Sequence, residues 1–361
     1  MISWRAPRFW FEPFGWQAAL LEPAAFVYGR VAARRMAEAP RRQAAAPVIC
    51  IGNFTLGGGG KTPTAMALAE AARALGRTPG FLTRGHGGAA RLPLLVEPDR
   101  HGAALVGDEA LLLAERAPTA ASPDRAAGAL LLRHAGCDLF LMDDGFQSAQ
   151  LQPDLALLVV DGATGLGNGR TFPAGPLRAP LGAQWPHADA ILVIGAGEPG
   201  DAVARRAAAD GKPVHRARLA TVDAAGLRGA RCLAFAGIAN PGKFHASLEE
   251  VGAEVETRRD FPDHHPFTEA EAHAILSDAE AKGLVPVTTA KDHVRLLAGG
   301  PQARLLGEAA RVLRVALRFE DPAAPETILR AAEAAFRARP PAVQPPAAAP
   351  VSALSEAAAS A

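Results

Sequence analysis

Gly57-Gly58-Gly59-Gly60-Lys61-Thr62 is a run whose residue types and spacing suit the binding of a polyphosphate. Glycines let the backbone turn successive N–H groups toward one anion, and a helix N-terminus adds partial positive charge. Lys61 then reaches the terminal phosphates of ATP, and the Thr62 hydroxyl offers one position to Mg²⁺. An apolar segment precedes the run and an alanine-rich one follows it. Pro63 suits the first helical turn, where its missing N–H has no intrahelical partner. Strand, glycine loop, Lys-Thr and helix is the order a triphosphate loop requires. The usual first glycine, five places before Gly60, is Thr55 here; the four glycines supply the freedom, and Thr55 stays among the ATP-binding residues with Gly57, Gly58, Gly59, Gly60, Lys61 and Thr62.

Further along, Leu139-Phe140-Leu141-Met142 leads into Asp143-Asp144-Gly145. Carboxylates at the C-terminal end of a sheet strand lie where open α/β folds bind ligands. Asp143 and Asp144, with Thr62, are therefore the expected Mg²⁺ ligands. Asp108 follows Gly107 ahead of a helix, as an N-cap does or as a carboxylate aimed at a substrate does. Asp263-His264 makes a carboxylate-oriented imidazole that titrates near neutrality, beside a second histidine, His265. Arg84, Arg170 and Arg178 stand in glycine- or proline-rich loops and are candidates to meet substrate or ATP phosphates, the alternative being solvated loop arginines. Lys291-Asp292 follows a strand end, to touch the nucleotide or to brace the interface between halves.

The elements that must position these groups are short apolar runs alternating with helical patterns. Strands are expected over 48–52, 80–83, 92–96, 139–142, 155–160 and 191–194, then 214–219, 232–236, 254–258, 285–288 and 312–317. Several are continuous apolar runs, as in parallel strands buried on both faces. Helices are expected over 64–75, 109–115, 124–134, 244–251 and 269–282. The last has a Thr268/Glu271 capping box and a Gly283 stop. The pattern predicts an α/β fold with a mostly parallel sheet flanked by helices, and a smaller C-terminal α/β subdomain beginning near 220–230.

Basic and acidic residues nearly cancel, 38 against 37, which argues against whole-molecule attraction to nucleic acid. Cys50, Cys137 and Cys232 lie far apart with no metal-ligand spacing and read as core residues in a reducing compartment. Three of the four tryptophans lie in the first sixteen residues, among Phe9, Phe11, Phe14 and arginines 5 and 8. Glu12, Gln17, Glu22 and two prolines break the run, so it reads as an interfacial segment rather than a membrane span. The alternative is a helix packed on the domain body. Expected units are thus 1–40, interfacial; 41–222, nucleotide core; 223–338, the C-terminal subdomain; and 339–361, a disordered Pro/Ala-rich tail. Nothing in the sequence calls for an obligate protein partner.

Taken in order, the motifs resemble the tetraacyldisaccharide 4'-kinase (lipid A 4'-kinase) family, within a P-loop NTPase-like fold. They are Gly52-Asn53 with the glycine loop, Thr83-Arg84-Gly85-His86-Gly87, Gly107-Asp108-Glu109 and Asp143-Asp144-Gly145-Phe146-Gln147. Asp161-Gly162, Gly167-Asn168-Gly169, Pro173-Ala174-Gly175-Pro176-Leu177-Arg178, Phe261-Pro262-Asp263-His264 and Thr288-Thr289-Ala290-Lys291-Asp292 follow. The ordered set runs to about residue 320, and the family's usual acidic residue before the lysine is Ala290 here. The resemblance implies transfer of the ATP γ-phosphoryl group to the 4'-hydroxyl of a tetraacylated glucosamine disaccharide 1-phosphate. It also implies a lipid-linked substrate and a place on the cytoplasmic face of the bacterial inner membrane. Asp108 and His264 become the acid–base pair, with Asp108 taking the hydroxyl proton, and the two meeting across a cleft that closes on substrate. Another P-loop enzyme is the competing reading, but a GTPase would want an Asn-Lys-x-Asp element that the sequence lacks.

Overall fold

A computed structural model describes residues 6–38, 41–57, 59–148, 150–224, 226–238 and 240–340; Gly58 and nearly all of the expected tail fall outside them. Twelve strands form one sheet: β1 (Val48–Gly52), β2 (Pro79–Thr83), β3 (Leu94–Leu95), β4 (Thr119–Ala121), β5 (Leu139–Asp143), β6 (Leu155–Asp161), β7 (Ala190–Ile194), β8 (Val214–Val222), β9 (Arg231–Ala236), β10 (Glu254–Asp260), β11 (Val285–Thr289) and β12 (Arg311–Phe319). Their order is β10-β9-β11-β12-β8-β7-β6-β1-β5-β2-β4-β3. Every pairing is parallel except β12 with β8 and β3 with β4. The expected α/β class holds.

At the centre, β1 lies between β5 and β6, all three apolar and almost wholly buried. Strand alternation sends Val48 and Cys50 into one core with Phe140, Met142 and Trp185. Ile49 and Ile51 point into the other, with Leu68, Leu141, Leu157 and Leu329. The helix Lys61–Ala74 covers that second face through Ala65, Leu68, Ala69 and Ala72. The three cysteines are buried and free, as expected, and burial pushes the Cys50 thiol up to about 12.

Some boundaries differ from expectation for physical reasons. Of the expected 92–96 strand, Leu94–Leu95 form the ladder and Val96 N–H bonds the Thr119 carbonyl, while Pro93 before them cannot donate. The three residues of β4 are too few and too small to announce a strand. The capped helix Glu269–Lys282 carries both reciprocal bonds of its capping box and ends at Gly283, φ 62°. At the far edge, β10 alternates exposed and half-buried residues and carries charges that discourage edge pairing. Near 220–230 the sheet does not break: β12 returns from the end of the chain to pair with β8 on one side and β11 on the other.

The N-terminal segment folds as a helix, Trp16–Glu38, that packs on the body through Ala18, Ala25 and Met36. Gly29 lets it approach Pro180, and the buried Trp10 donates its Nε1–H to the carbonyl of Pro173 at 3.0 Å. Its large residues face outward instead, with Trp16 74 % and Leu20 72 % exposed, and Phe26, Val27 and Val31 beside them. No helix among the described residues is long and apolar enough to cross a membrane.

Candidate active site

The loop after β1 turns at Gly57, φ 110°, and at Gly60, φ 96°, before entering its helix. Both angles favour glycine. Asn53 Nδ2–H and Lys61 Nζ–H both donate to the Gly57 carbonyl, at 2.9 and 3.1 Å. From outside the loop, Leu56 N–H bonds the carbonyl of Pro176 and Arg178 Nε–H bonds that of Thr55. The Pro176-Leu177-Arg178 stretch therefore pins the loop's entry. Burial lowers the Lys61 pKa even though Asp144 lies 3.7 Å away.

Asp143 ends β5 and is 1 % exposed. Thr62 Oγ1–H donates to its Oδ2 at 2.9 Å, while its Oδ1 is buried without a partner. Burial, reinforced by Glu109, raises the Asp143 carboxyl to about 7. An orphaned buried carboxylate oxygen beside a threonine hydroxyl and a lysine is what a bound cation would satisfy, so Thr62 and Asp143 fit Mg²⁺. Asp144 takes a left-handed conformation, φ 53°, and is gripped through both oxygens by Arg178, at 2.8 and 3.1 Å. Burial would raise its pKa, but Lys61 and Arg178 outweigh burial and lower it.

Asp108 and His264, 156 residues apart, meet at 3.0 Å between Asp108 Oδ2 and His264 Nδ1. Asp108 is 4 % exposed; its Oδ1 accepts the Glu109 N–H, and its Oδ2 also accepts Arg295 Nε–H at 3.0 Å. His264 and Arg295 outweigh burial and hold this carboxyl well below the usual range. The same hydrogen bond raises the His264 pKa. His264 sits at φ 57°, a strained conformation for a residue with a side chain. His265 turns away to Glu271, 2.9 Å off, and belongs to the helix cap. Of the two histidines, only His264 reaches Asp108.

Glu109 connects this pair to the phosphate loop. It accepts Lys291 Nζ–H at 2.5 Å, and its charge is felt at both Lys61 and Asp143. Lys291 and Asp292 thus act as braces: Asp292 accepts the Gly237 N–H and Arg295 Nη1–H. Among the arginines expected at substrate, Arg178 is at the loop. Arg84 is exposed near the buried Arg125, and Arg170 lies over the Phe14 ring and 3.4 Å from Glu22, in contact with the N-terminal segment. Arg295 carried no expectation, although it stands one helical turn beyond Lys291, on the same face.

Backbone packing aims Asp108. Gly107, φ 84°, precedes it, and a Cβ there would stand 2.3 Å from the His86 carbonyl oxygen. The Gly85–Gly88 turn lies on this segment, with Ala89 and Ala90 N–H bonded to the carbonyls of Ala104 and Leu105. Gly107→Ala is expected to cost about 1–3 kcal/mol of stability and about 10²-fold in kcat through displacement of Asp108. Urea unfolding and steady-state kinetics check both; a variant unchanged in each would show that the turn does not set the carboxylate.

The sequence model of the family described as Tetraacyldisaccharide-1-P 4'-kinase matches residues 17–333. The "Tetraacyldisaccharide 4'-kinase" of Rhizobium meliloti (strain 1021) is 50 % identical over 339 residues, covering 94 % of this chain and 98 % of its own. That of Methylobacterium radiotolerans is 52 % identical over 318 residues, 88 % of this chain and 95 % of its own. Among solved structures, LpxK from Aquifex aeolicus, in complex with ATP, superposes with a TM-score of 0.67 at 24 % identity. It covers 88 % of this chain and 99 % of that one, a likeness of fold.

Proposed function

This chain belongs to the tetraacyldisaccharide-1-P 4'-kinase family, and from that premise we propose how its residues carry ATP-dependent 4'-phosphorylation in lipid A biosynthesis. The acceptor is a tetraacylated glucosamine disaccharide 1-phosphate, and the γ-phosphoryl group of ATP goes to its 4'-hydroxyl. The observation that carries the reading is the continuity from Lys61 and Asp143, through Glu109, to the Asp108–His264 pair.

The glycine loop and Lys61 hold the triphosphate. Thr62 and Asp143 would hold Mg²⁺, with Asp144 as the neighbouring carboxylate, and an ion there would supply positive charge to the phosphate oxygens. The Asp108–His264 pair manages the hydroxyl proton. Asp108 is the acceptor that the family resemblance implies, but its acceptor sites face Glu109 N–H, His264 and Arg295, and its affinity for a proton is low. We therefore assign the proton to His264 Nε2, with Asp108 fixing the tautomer through Nδ1. Label passing from γ-labelled ATP to the disaccharide in detergent tests the whole reading. ATP hydrolysed with no lipid labelled would overturn the acceptor.

The outward face of the helix Trp16–Glu38 supports a location at the cytoplasmic face of the inner membrane. Trp16, Leu20, Val27 and Val31 share that face with Arg30, and tryptophan and arginine suit the boundary between acyl chains and anionic headgroups. Replacing Trp16, Leu20, Phe26 and Val27 together by serine is expected to lower partitioning onto phosphatidylglycerol vesicles by at least about tenfold, given the apolar area lost. Co-sedimentation reads it; wild-type partitioning of the variant would remove this face from the membrane contact.

A further inference from the structure

We propose that Arg295 is a positioning residue for phosphoryl transfer, a single guanidinium that fixes both halves of the Asp108–His264 pair at once. The proposal rests on the proton assignment above and extends it to a residue of the C-terminal half.

The side chain is 7 % exposed and all its nitrogens are engaged. Nε–H donates to Asp108 Oδ2 at 3.0 Å, the same oxygen that His264 Nδ1 reaches. Nη1–H and Nη2–H both bond the Gly237 carbonyl at 3.1 Å, and Nη1–H lies 3.3 Å from the His265 carbonyl. The Gly237 carbonyl also accepts the backbone N–H of His264, at 3.2 Å. One edge of the guanidinium therefore sets the carboxylate, and the other holds the backbone on which the imidazole is mounted. That backbone needs holding, because His264 is in the left-handed region. Asp292, buried and bonded to Gly237 N–H, Thr289 and Arg295, keeps the guanidinium in plane at 2.8 Å.

A planar fork of fixed N–H directions suits this task, whereas a lysine ammonium is a point charge on a flexible stem. If Arg295 only joined the two halves of the chain, its loss would lower stability and leave the chemistry alone. If it positions the pair, kcat falls while KM for ATP holds, because the nucleotide loop has its own supports at Pro176 and Arg178. Arg295 also shares the Asp108 charge with His264. The other groups facing the imidazole are Asp263, 3.8 Å from Nε2, His86, whose ring stands edge-on at 5.7 Å, and Lys291. Without Arg295, Asp108 acts on His264 undivided, and the imidazole keeps its proton to higher pH.

The experiment compares Arg295→Met, Arg295→Lys, Asp108→Asn and the Asp108→Asn/Arg295→Met double variant in full-length enzyme, each with Tm, kcat, KM for ATP and a pH profile. Arg295→Met is expected to lose about 10²-fold in kcat, keep KM for ATP, and move the acid limb upward. Arg295→Lys restores the charge, so its limb returns toward wild type while kcat stays depressed. In the Asp108→Asn background, loss of Arg295 should add little, since the two act as one unit. A folded Arg295→Met or Arg295→Lys enzyme with wild-type kcat, beside an impaired Asp108→Asn, would overturn the positioning role and leave the proton assignment standing. An unimpaired Asp108→Asn would overturn the proton assignment itself, and the role of Arg295 with it.

Discussion

Asp108→Asn is expected to reduce kcat by about 10³–10⁴-fold while the protein remains folded and KM for ATP stays near wild type. An amide in place of the carboxylate removes the charge that selects the His264 tautomer with Nδ1–H inward and Nε2 free. It also leaves the imidazolium that forms during transfer without its counter-ion. Folding survives because Arg295 retains Asp292 and two backbone carbonyls as partners. The pH profile gives an independent check. Asp108 raises the His264 pKa above its ordinary 6.5, and only the neutral imidazole accepts a proton. Wild-type activity therefore falls as pH drops through a value above 6.5, and in Asp108→Asn the residual activity should survive to lower pH. A variant within tenfold of wild type, or an acid limb that does not move, would remove this pair from the chemistry.

Lys61→Ala is expected to lower kcat/KM by about 10²–10³-fold, the cost of deleting one preorganised charge at a developing anion. Its surroundings make the loss larger than a missing contact. Lys61 is buried beside Asp144, within the electrostatic reach of Asp143 and Glu109. Without the ammonium, an incoming triphosphate meets carboxylates with one cation fewer. Raising Mg²⁺ should recover only part of the rate, since the site proposed for the ion, at Thr62 and Asp143, is not the place of the lysine ammonium. Lys61→Arg should recover little as well, because a planar guanidinium does not reproduce the compact charge that Lys61 Nζ sets between the Gly57 carbonyl and Asp144. Label transfer at saturating lipid measures both variants, and full activity of Lys61→Ala would sink the phosphate-loop assignment.

Legibility in the sequence falls off with separation along the chain. The phosphate loop is local: β1, the glycines and Lys61-Thr62 are contiguous, and local chemistry alone points to their use. Asp143 is nearly as plain, because a carboxylate at the end of a buried apolar strand is costly unless a cation or a donor meets it. The Asp108–His264 pair spans 156 residues, and no periodicity joins its ends; only the family resemblance brings them together. Arg295 lies within reach of helical spacing from Lys291, yet arginines on helices are common and nothing marks this one as buried. Arg170 illustrates the opposite case. A glycine-rich loop offers it to a phosphate, whereas tertiary packing gives it to Phe14 and Glu22 of the N-terminal segment. The pairing of β12 with β8 is equally hidden, since strand partners so far apart in the chain leave no trace in composition.

That last pairing sets how much of the fold can be completed before the C-terminal part of the chain has been synthesised. The glycine loop and the two aspartates at the end of β5, Asp143 and Asp144, emerge early, but the core under the loop's helix is completed by Leu317, Ile328, Leu329 and Ala332, from the last described strand and helix. Until residues 311–319 have been synthesised, β8 has an open edge and the nucleotide half lacks part of its floor. A nascent chain stalled before that point presents a bare strand edge and apolar surface, the features that recruit chaperones or drive aggregation. A chain truncated ahead of β12 is therefore expected to keep an unpaired β8 edge and to lack part of the core beneath the phosphate loop's helix.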